Sequence, residues 1–281
     1  MAHYKKKFEP NQELSDLFNK LWDLDDNRCE PGEHYTLDKG GYLKSSRDMT
    51  KDFAPDPLFS WVDEDKVFSK PTYKHFIALF DNYTAETGEQ EVVTKEEFNE
   101  NVKFIDAICE TELMKEAHSF LRDKGKAPGP VGEFKKLLYK LWFKLYRRTK
   151  GDRDFDSSGF EHVFVGEVKG EDVIGFHNWI CFYLQEKAGN IDYHGYFRRG
   201  TSLEKEPRFI TLQFSCKNNR GKPIGGSFIG TSPEFEVALY TVCFLMDIGS
   251  KVHIQLDEYD VEITIYGHAD GIGTAYPTSL E

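Results

Sequence analysis

The hydrophobic period of this chain changes part-way along, and that change limits the folds open to it. Up to about residue 148, apolar residues recur at the spacing of amphipathic helices; beyond about residue 158, they alternate with polar ones as in strands. Leu14, Leu17, Phe18 and Leu21 predict one helix. Thr94 to Leu121 predicts another, opened by the capping box Thr94-Lys95-Glu96-Glu97 and carrying the stripe Phe98, Val102, Ile105, Ile108 and Leu113. The Gly- and Pro-rich stretch Lys124 to Gly132 reads as a linker or tight loop. A helix from Glu133 to about Arg148 follows, apolar on one face and basic on the other through Lys135, Lys136, Lys140, Lys144, Arg147 and Arg148. The basic face is either a solvated surface or a landing strip for phosphates. Strands are predicted at Val163–Val168, Phe209–Lys217, Lys251–Leu256 and Val261–Tyr266, with a turn at Asn218-Asn219-Arg220-Gly221. Two helices interrupt them, one from Phe176 to about Lys187 and one after the N-cap and proline of Thr231-Ser232-Pro233-Glu234. Strands mixed with separate helices, without regular βαβ alternation, predict an α+β fold. A mainly helical part over 1–130 precedes a lobe of helices and antiparallel sheet over 131–281.

Composition excludes several classes of function. Apolar residues make up 39% and aromatics 15% of the 281 residues, too much for a disordered chain. The longest apolar run, Val237 to Met246, is about ten residues against the roughly 20 of a membrane span. Five widely spaced cysteines without a CxxC pair argue against a disulfide framework or zinc ribbon. The polar start MAHYKKKFEP has no apolar signal region, so the expected compartment is cytoplasmic or nuclear, and secreted only if an upstream segment has been removed. Asp23-Leu24-Asp25-Asp26-Asn27 starts like a calcium loop but lacks its sixth-position Gly and twelfth-position Glu, and reads better as a capped turn. The net charge of −12 disfavours a nonspecific nucleic-acid coat. That charge is uneven, however: residues 131–222 hold 17 basic and 12 acidic groups, whereas the flanking parts are strongly acidic. This is the pattern of a local anion site.

Three side chains in that basic middle carry chemistry. His162 lies in GFEHVFVGE at the start of a predicted strand, and His177 lies in GFHNWICFYLQEK at the start of a predicted helix, where the dipole favours a neutral imidazole. Lys222 lies in the Gly-rich NRGKPIGGSFIG, where backbone can approach a ligand. Two imidazoles and an ammonium are the groups needed to cleave RNA through its own 2′-hydroxyl. One imidazole takes the 2′-OH proton, the other protonates the departing 5′-oxygen, and the ammonium stabilises the phosphorane. Among other candidates, His194 reads as a loop residue and His253 as structural; His268 and Asp270 read as a loop at the rim of the site. Arg147 and Arg148 are candidate phosphate binders, Arg148 the better placed.

The runs SSGFEHVFVGE, GFHNWICFYLQEK, KPIGGSFIGTSPEFEVALYTVCF and GTAYP, in this order, resemble the poly(U)-specific endoribonuclease (EndoU) family over essentially the full length. The resemblance implies one EndoU-type α+β domain and cleavage of single-stranded RNA 3′ of uridines, leaving a 2′,3′-cyclic phosphate. By the same resemblance, His162 and His177 match the catalytic histidines and Lys222 the catalytic lysine, with Lys217 the neighbouring alternative. Glu161 and Glu167 match acidic residues needed for activity. Thr274 and Tyr276 match the Ser/Thr-x-Tyr element that reads uracil by hydrogen bonding and aromatic packing. Manganese, and in some members calcium, is implied as a cofactor, with Glu161 and Glu167 the candidate ligands; no compact Asp/Glu/His cluster is visible in the sequence itself. The expected partner is uridine-containing single-stranded RNA, met by a monomer. Strict strand alternation would put His162 on the opposite face from Glu161 and Glu167, so either His162 precedes the strand or a glutamate acts from behind. The competing reading is a catalytically silent RNA-binding member, against which the presence of both histidines, the lysine and Thr-x-Tyr all count.

Overall fold

In the computed structural model, residues 8–151, 153–217 and 220–280 are described. The helices come first. Asn11 caps α1 (Gln12–Asp23) by accepting from Leu14 N at 3.1 Å, and Leu14, Leu17, Phe18 and Leu21 are buried as their spacing predicts. Two short strands, β1 (Tyr35–Leu37) and β2 (Phe59–Val62), pair antiparallel and lead to the short helices α2 (Glu64–Val67) and α3 (Pro71–Ile77). The predicted helix over 94–121 is two helices, α4 (Lys95–Cys109) and α5 (Glu112–Asp123). The capping box at Thr94 forms as expected, but Thr111 starts a new helix by accepting from Met114 N at 3.2 Å. Helix α6 (Val131–Trp142) stops short of the predicted Arg148, because Tyr146 turns away to pair with Ser157.

The second correction concerns Val163–Val168. Residues Glu161–Val165 form a π-helical turn, closed by Gly166 N donating to Glu161 O at 2.7 Å, and the strand β3 is only Glu167–Lys169. Phe160, Val163 and Phe164, at i, i+3 and i+4, are all buried. Their alternation with other apolar residues imitates a strand. Strand β4 (Asp172–Ile174) and helix α7 (Trp179–Lys187) follow, then β5 (Ile191–Tyr196), β6 (Phe209–Cys216), β7 (Gly221–Phe228), α8 (Pro233–Met246), β8 (Lys251–Leu256), β9 (Tyr259–His268) and β10 (Gly271–Ser279). The predicted strands near 209, 251 and 261 are thus β6, β8 and the middle of β9, whereas β5, β7 and β10 occupy stretches the sequence marks as loop. The predicted turn at Asn218-Asn219 lies outside the described residues.

One sheet has the order β3-β4-β7-β6-β5, antiparallel except for a parallel contact between β4 and β7; the other is the meander β10-β9-β8. Helix α8 runs beneath β9 and packs on α1, α3 and α5, with every residue from Pro233 to Cys243 buried. An all-round apolar helix is a core element, which is what the longest apolar run becomes. Apolar side chains from α1 to β10 make one continuous core. The two sheets meet where β7 crosses β10: a Cβ on Gly226 would collide with the Pro277 carbonyl, so only glycine lets the strands approach. That junction forms the floor of the cleft described next. Among the described residues, no helix is long and apolar enough to cross a membrane.

Candidate active site

The π-helical turn solves the problem of facing. Glu161 points into the core with no exposed surface, His162 keeps a small exposed edge, and Gly166 (φ +89°) reverses the chain so that the Glu167 carboxylate returns onto His162 Nδ1. A carboxylate only accepts, so His162 carries its proton on Nδ1 and leaves Nε2 free. Burial lowers the His162 pKa, while the Glu167 contact works in the opposite direction by stabilising the imidazolium. Glu167 is itself almost fully buried. Although burial alone would raise its pKa, the hydrogen bond from His162 and the Arg148 guanidinium, with Nε at 3.0 Å, hold it below the ordinary carboxylate range.

The loop Gly175-Phe176-His177 is fastened to this turn by its main chain. Phe176 N donates to His162 O at 2.9 Å and His177 N to Val163 O at 2.7 Å. Gly175 (φ +65°) lies against the His162 backbone, where a Cβ would come within 2.7 Å of the His162 carbonyl carbon. Asn178, not His177, is the N-cap of α7, accepting from Ile180 N and Cys181 N at 3.0 and 3.1 Å. His177 therefore precedes the helix, with Nδ1–H donating to Gly226 O at 2.8 Å and Nε2 free. Burial, then the neighbouring Lys222 and His162, hold its pKa well below the usual imidazole range, so it is neutral at pH 7.

Lys222 enters from β7 and donates its ammonium to Gly175 O. Burial pushes its pKa down to about 7. Gly225, three residues on, leaves room for the lysine stem, since a Cβ there would overlap Lys222 Cε. The alternative Lys217 is elsewhere, its Nζ 3.2 Å from Asn190 Oδ1 on the surface. A cleft of about 470 Å³ opens over His177, Lys222, Gly226 and Tyr276, and its far wall includes Arg199, Lys251 and Thr278. The Tyr276 ring stacks on His177, centroids 4.7 Å apart at 19°. Thr274 and Tyr276 stand two residues apart on β10, opposite Tyr266 and Thr264 of β9, and so share one sheet face.

A family model described as Endoribonuclease XendoU matches residues 13–277. The chain belongs to the XendoU endoribonuclease family. It is 50% identical to the poly(U)-specific endoribonuclease-B of Xenopus laevis over 278 residues, covering 96% of this chain and 94% of that protein. With the human uridylate-specific endoribonuclease it shares 40% identity over 256 residues, 91% of this chain and 61% of the longer human one. Its fold superposes on a solved structure described as "XendoU: a splicing independent snoRNA processing endoribonuclease" with a TM-score of 0.85 and 46% identity, covering 97% of this chain and 99% of that one. The protein is an endoribonuclease of α+β fold.

Within this XendoU fold the remaining expected site residues separate. The Arg148 guanidinium does not reach into the cleft; it is engaged by Glu167, the Gly273 carbonyl at 3.0 Å and the Tyr146 hydroxyl at 2.7 Å. It secures Glu167, and through it His162. Glu161 is buried with neither oxygen hydrogen-bonded, and burial, reinforced by Glu167, pushes its pKa up to about 10. It is a protonated acid. As ligands for the manganese that the resemblance implies, the two glutamates do not fit: one is neutral and enclosed, and the other is held by His162 and Arg148. No cluster of three or more metal-binding side chains occurs among the described residues. His194 is a buried strand residue 3.0 Å from Ser215 Oγ, not a loop residue. His253 pairs with Glu262 at 3.1 Å on β8. His268 ends β9 with Nε2 2.7 Å from Arg147 O, and Asp270 in the next turn meets Lys144 at 3.4 Å. Sequence reasoning missed Gly175, Gly225 and Asn178. The clustered glycines were their only signal, because what fixes these positions is close approach by residues distant in the chain.

Proposed function

We propose that this endoribonuclease cuts single-stranded RNA 3′ of uridine by attack of the 2′-hydroxyl on the adjacent phosphate, leaving a 2′,3′-cyclic phosphate. The observation that carries this reading is the pair of imidazoles held by Nδ1, each with Nε2 free and each close enough to Lys222 to feel its charge, with Lys222 itself held by the Gly175 carbonyl. His177, neutral because it is buried beside Lys222, is the base that takes the 2′-OH proton. His162, whose Nδ1–H rests on the Glu167 carboxylate, can carry a second proton and is the acid that protonates the leaving 5′-oxygen. Electrons move from the 2′-oxygen to phosphorus and out onto the 5′-oxygen; one proton is accepted and one donated. Lys222 faces the charge that develops on the phosphoryl oxygens. Thr274 and Tyr276 offer a hydroxyl and a ring to the uracil. The names of the relatives, poly(U)- and uridylate-specific endoribonucleases, support the base preference. Every group used comes from one chain, so a monomer suffices, and no step passes through a metal.

The test is a defined RNA with a single uridine, analysed for cut position and end group. Cleavage 3′ of the uridine with a cyclic phosphate end is expected. Each imidazole is worth about 10²–10⁴ in rate, and His177→Ala should be almost inactive. A His177→Ala protein that cuts at the wild-type rate refutes the assignment, and a wild type that binds this RNA without cutting it leaves an RNA-binding protein.

A further inference from the structure

The cations near the cleft are not equivalent. On α6 and just beyond it each lysine of the predicted basic face has a carboxylate: Lys135 meets Asp106 at 2.8 Å, Lys136 meets Glu133 at 2.8 Å, and Lys140 and Lys144 share Asp270 at 3.9 and 3.4 Å. That face is self-neutralised. The loop after α6 differs. Arg147, Lys150 and Arg153, together with Lys169 on β3, are exposed, and none has a carboxylate partner among the described residues. The Arg147 guanidinium instead lies 4.4 Å above the Phe155 ring, which is 47% exposed. The loop is built: Tyr146 N donates to Ser157 O at 2.8 Å, Arg147 Nε to Arg153 O at 3.0 Å, and Lys169 Nζ to Thr149 Oγ1 at 3.2 Å. An exposed arginine–aromatic stack with unpaired cations in the same loop is a composition that binds a stacked base and its flanking phosphates.

Its position gives it a direction. Arg147 adjoins Arg148, which holds Glu167, which holds His162, and Lys169 lies two residues beyond Glu167 on the same strand. The patch is thus tied through Arg148 and Glu167 to His162, whereas the Tyr276 ring stacks on His177.

We infer that this loop is a second RNA-binding surface, which takes the nucleotides 3′ of the scissile phosphate, stacking a base on Phe155–Arg147 and pairing phosphates with Lys150, Arg153 and Lys169. The inference rests on the assignment of His162 to the leaving 5′-oxygen, which puts the departing strand on this side.

The test compares wild type with Arg147→Ala/Phe155→Ala and with Phe155→Tyr on three substrates: a uridine-containing dinucleotide, a single uridine with a ten-nucleotide 3′ extension, and the same uridine with a ten-nucleotide 5′ extension. The double variant should lose about 5-fold to 100-fold in kcat/KM on the 3′-extended RNA, little on the other two, and Phe155→Tyr should retain the wild-type value. A second arm measures binding of the same oligonucleotides carrying 2′-deoxyuridine, which cannot be cut. There the double variant should bind the 3′-extended oligonucleotide about 5-fold to 100-fold more weakly than wild type and the other two about equally. Equal losses on all substrates, losses confined to the 5′-extended RNA, or no loss would each overturn the inference. A wild type that cuts no uridine-containing RNA would overturn the reading of the site, while the binding arm, which needs no cleavage, still decides the surface.

Discussion

Gly225→Ala isolates the placement of Lys222 from the stability of the fold. Gly225 lies in β7 with an ordinary backbone conformation, so alanine is not strained there, and the lost chain entropy of glycine favours the variant by a few tenths of a kcal/mol. The added methyl, however, would be 2.8 Å from Lys222 Cδ, overlap Cε and lie 3.6 Å from Nζ. Carbon atoms prefer about 3.5–4.0 Å, so the lysine stem must retreat by about 1 Å. It is a flexible stem and can do so at little cost to folding. Its ammonium then leaves the Gly175 carbonyl and the place where phosphoryl charge develops. Misplacement by about 1 Å can cost about 10²-fold in rate, and loss of one stabilising donor costs about 10²–10³. The expected result is a kcat on oligo-uridine lowered about 100-fold, a KM changed little, and a melting temperature within about 3 °C of wild type. A variant with wild-type kcat would refute the argument that Lys222 is held in place by the space at Gly225. So would a variant whose activity loss is matched by a collapse in stability.

Two further outcomes follow from the buried charges. In kcat/KM, which reports the free enzyme, activity should rise at low pH as His177 becomes neutral, and fall as His162, held below the ordinary imidazole range by burial, and then Lys222, near pH 7, lose their protons. The residual activity of Lys222→Gln should keep only the part of the alkaline limb set by His162; a profile unchanged from wild type would show that Lys222 contributes nothing to it. Glu161 is a separate case, because its folded pKa of about 10 lies above the unfolded value. The folded state then keeps a proton that the unfolded chain releases, so stability falls with rising pH between about 4.5 and 10. Glu161→Gln mimics the protonated acid and removes this dependence, so its stability relative to wild type should improve by about 1 kcal/mol per pH unit from pH 6 to 8. Parallel denaturant midpoints over that range would show that Glu161 is ionised.

The sequence made the helices legible where their caps are local: Asn11, Thr94 and Ser232 each satisfy backbone donors within three residues. It also singled out His162, His177 and Lys222, which the fold holds close enough that the lysine's charge acts on both histidines. It misled at Glu161–Val165, where a largely buried π-helical turn and a buried strand show similar apolar density. It misled also at β7 and β10, where Gly225, Gly226, Gly273 and Pro277 look like loop residues. Those strands contain glycine because neighbouring strands or a lysine press on them, and β10 tolerates proline because it is the edge of its sheet. Long-range crowding of this kind leaves no periodic trace. Arg148 shows the same limit. Its place in a basic run suggests a phosphate, and only the fold reveals that Glu167 has already claimed it.

The fastening of residues 175–177 to the π-helical turn has a kinetic corollary. One short stretch of main chain carries His177, receives Lys222 and braces His162. The three groups thus share one main-chain support, even though a side-chain change such as Gly225→Ala can move Lys222 alone. A fluctuation that frees this stretch disarms the whole assembly together, and its return rearms all three. Heat or mild denaturant should therefore switch single molecules between fully competent and inert, well before the surrounding core melts, with no population cutting at half speed.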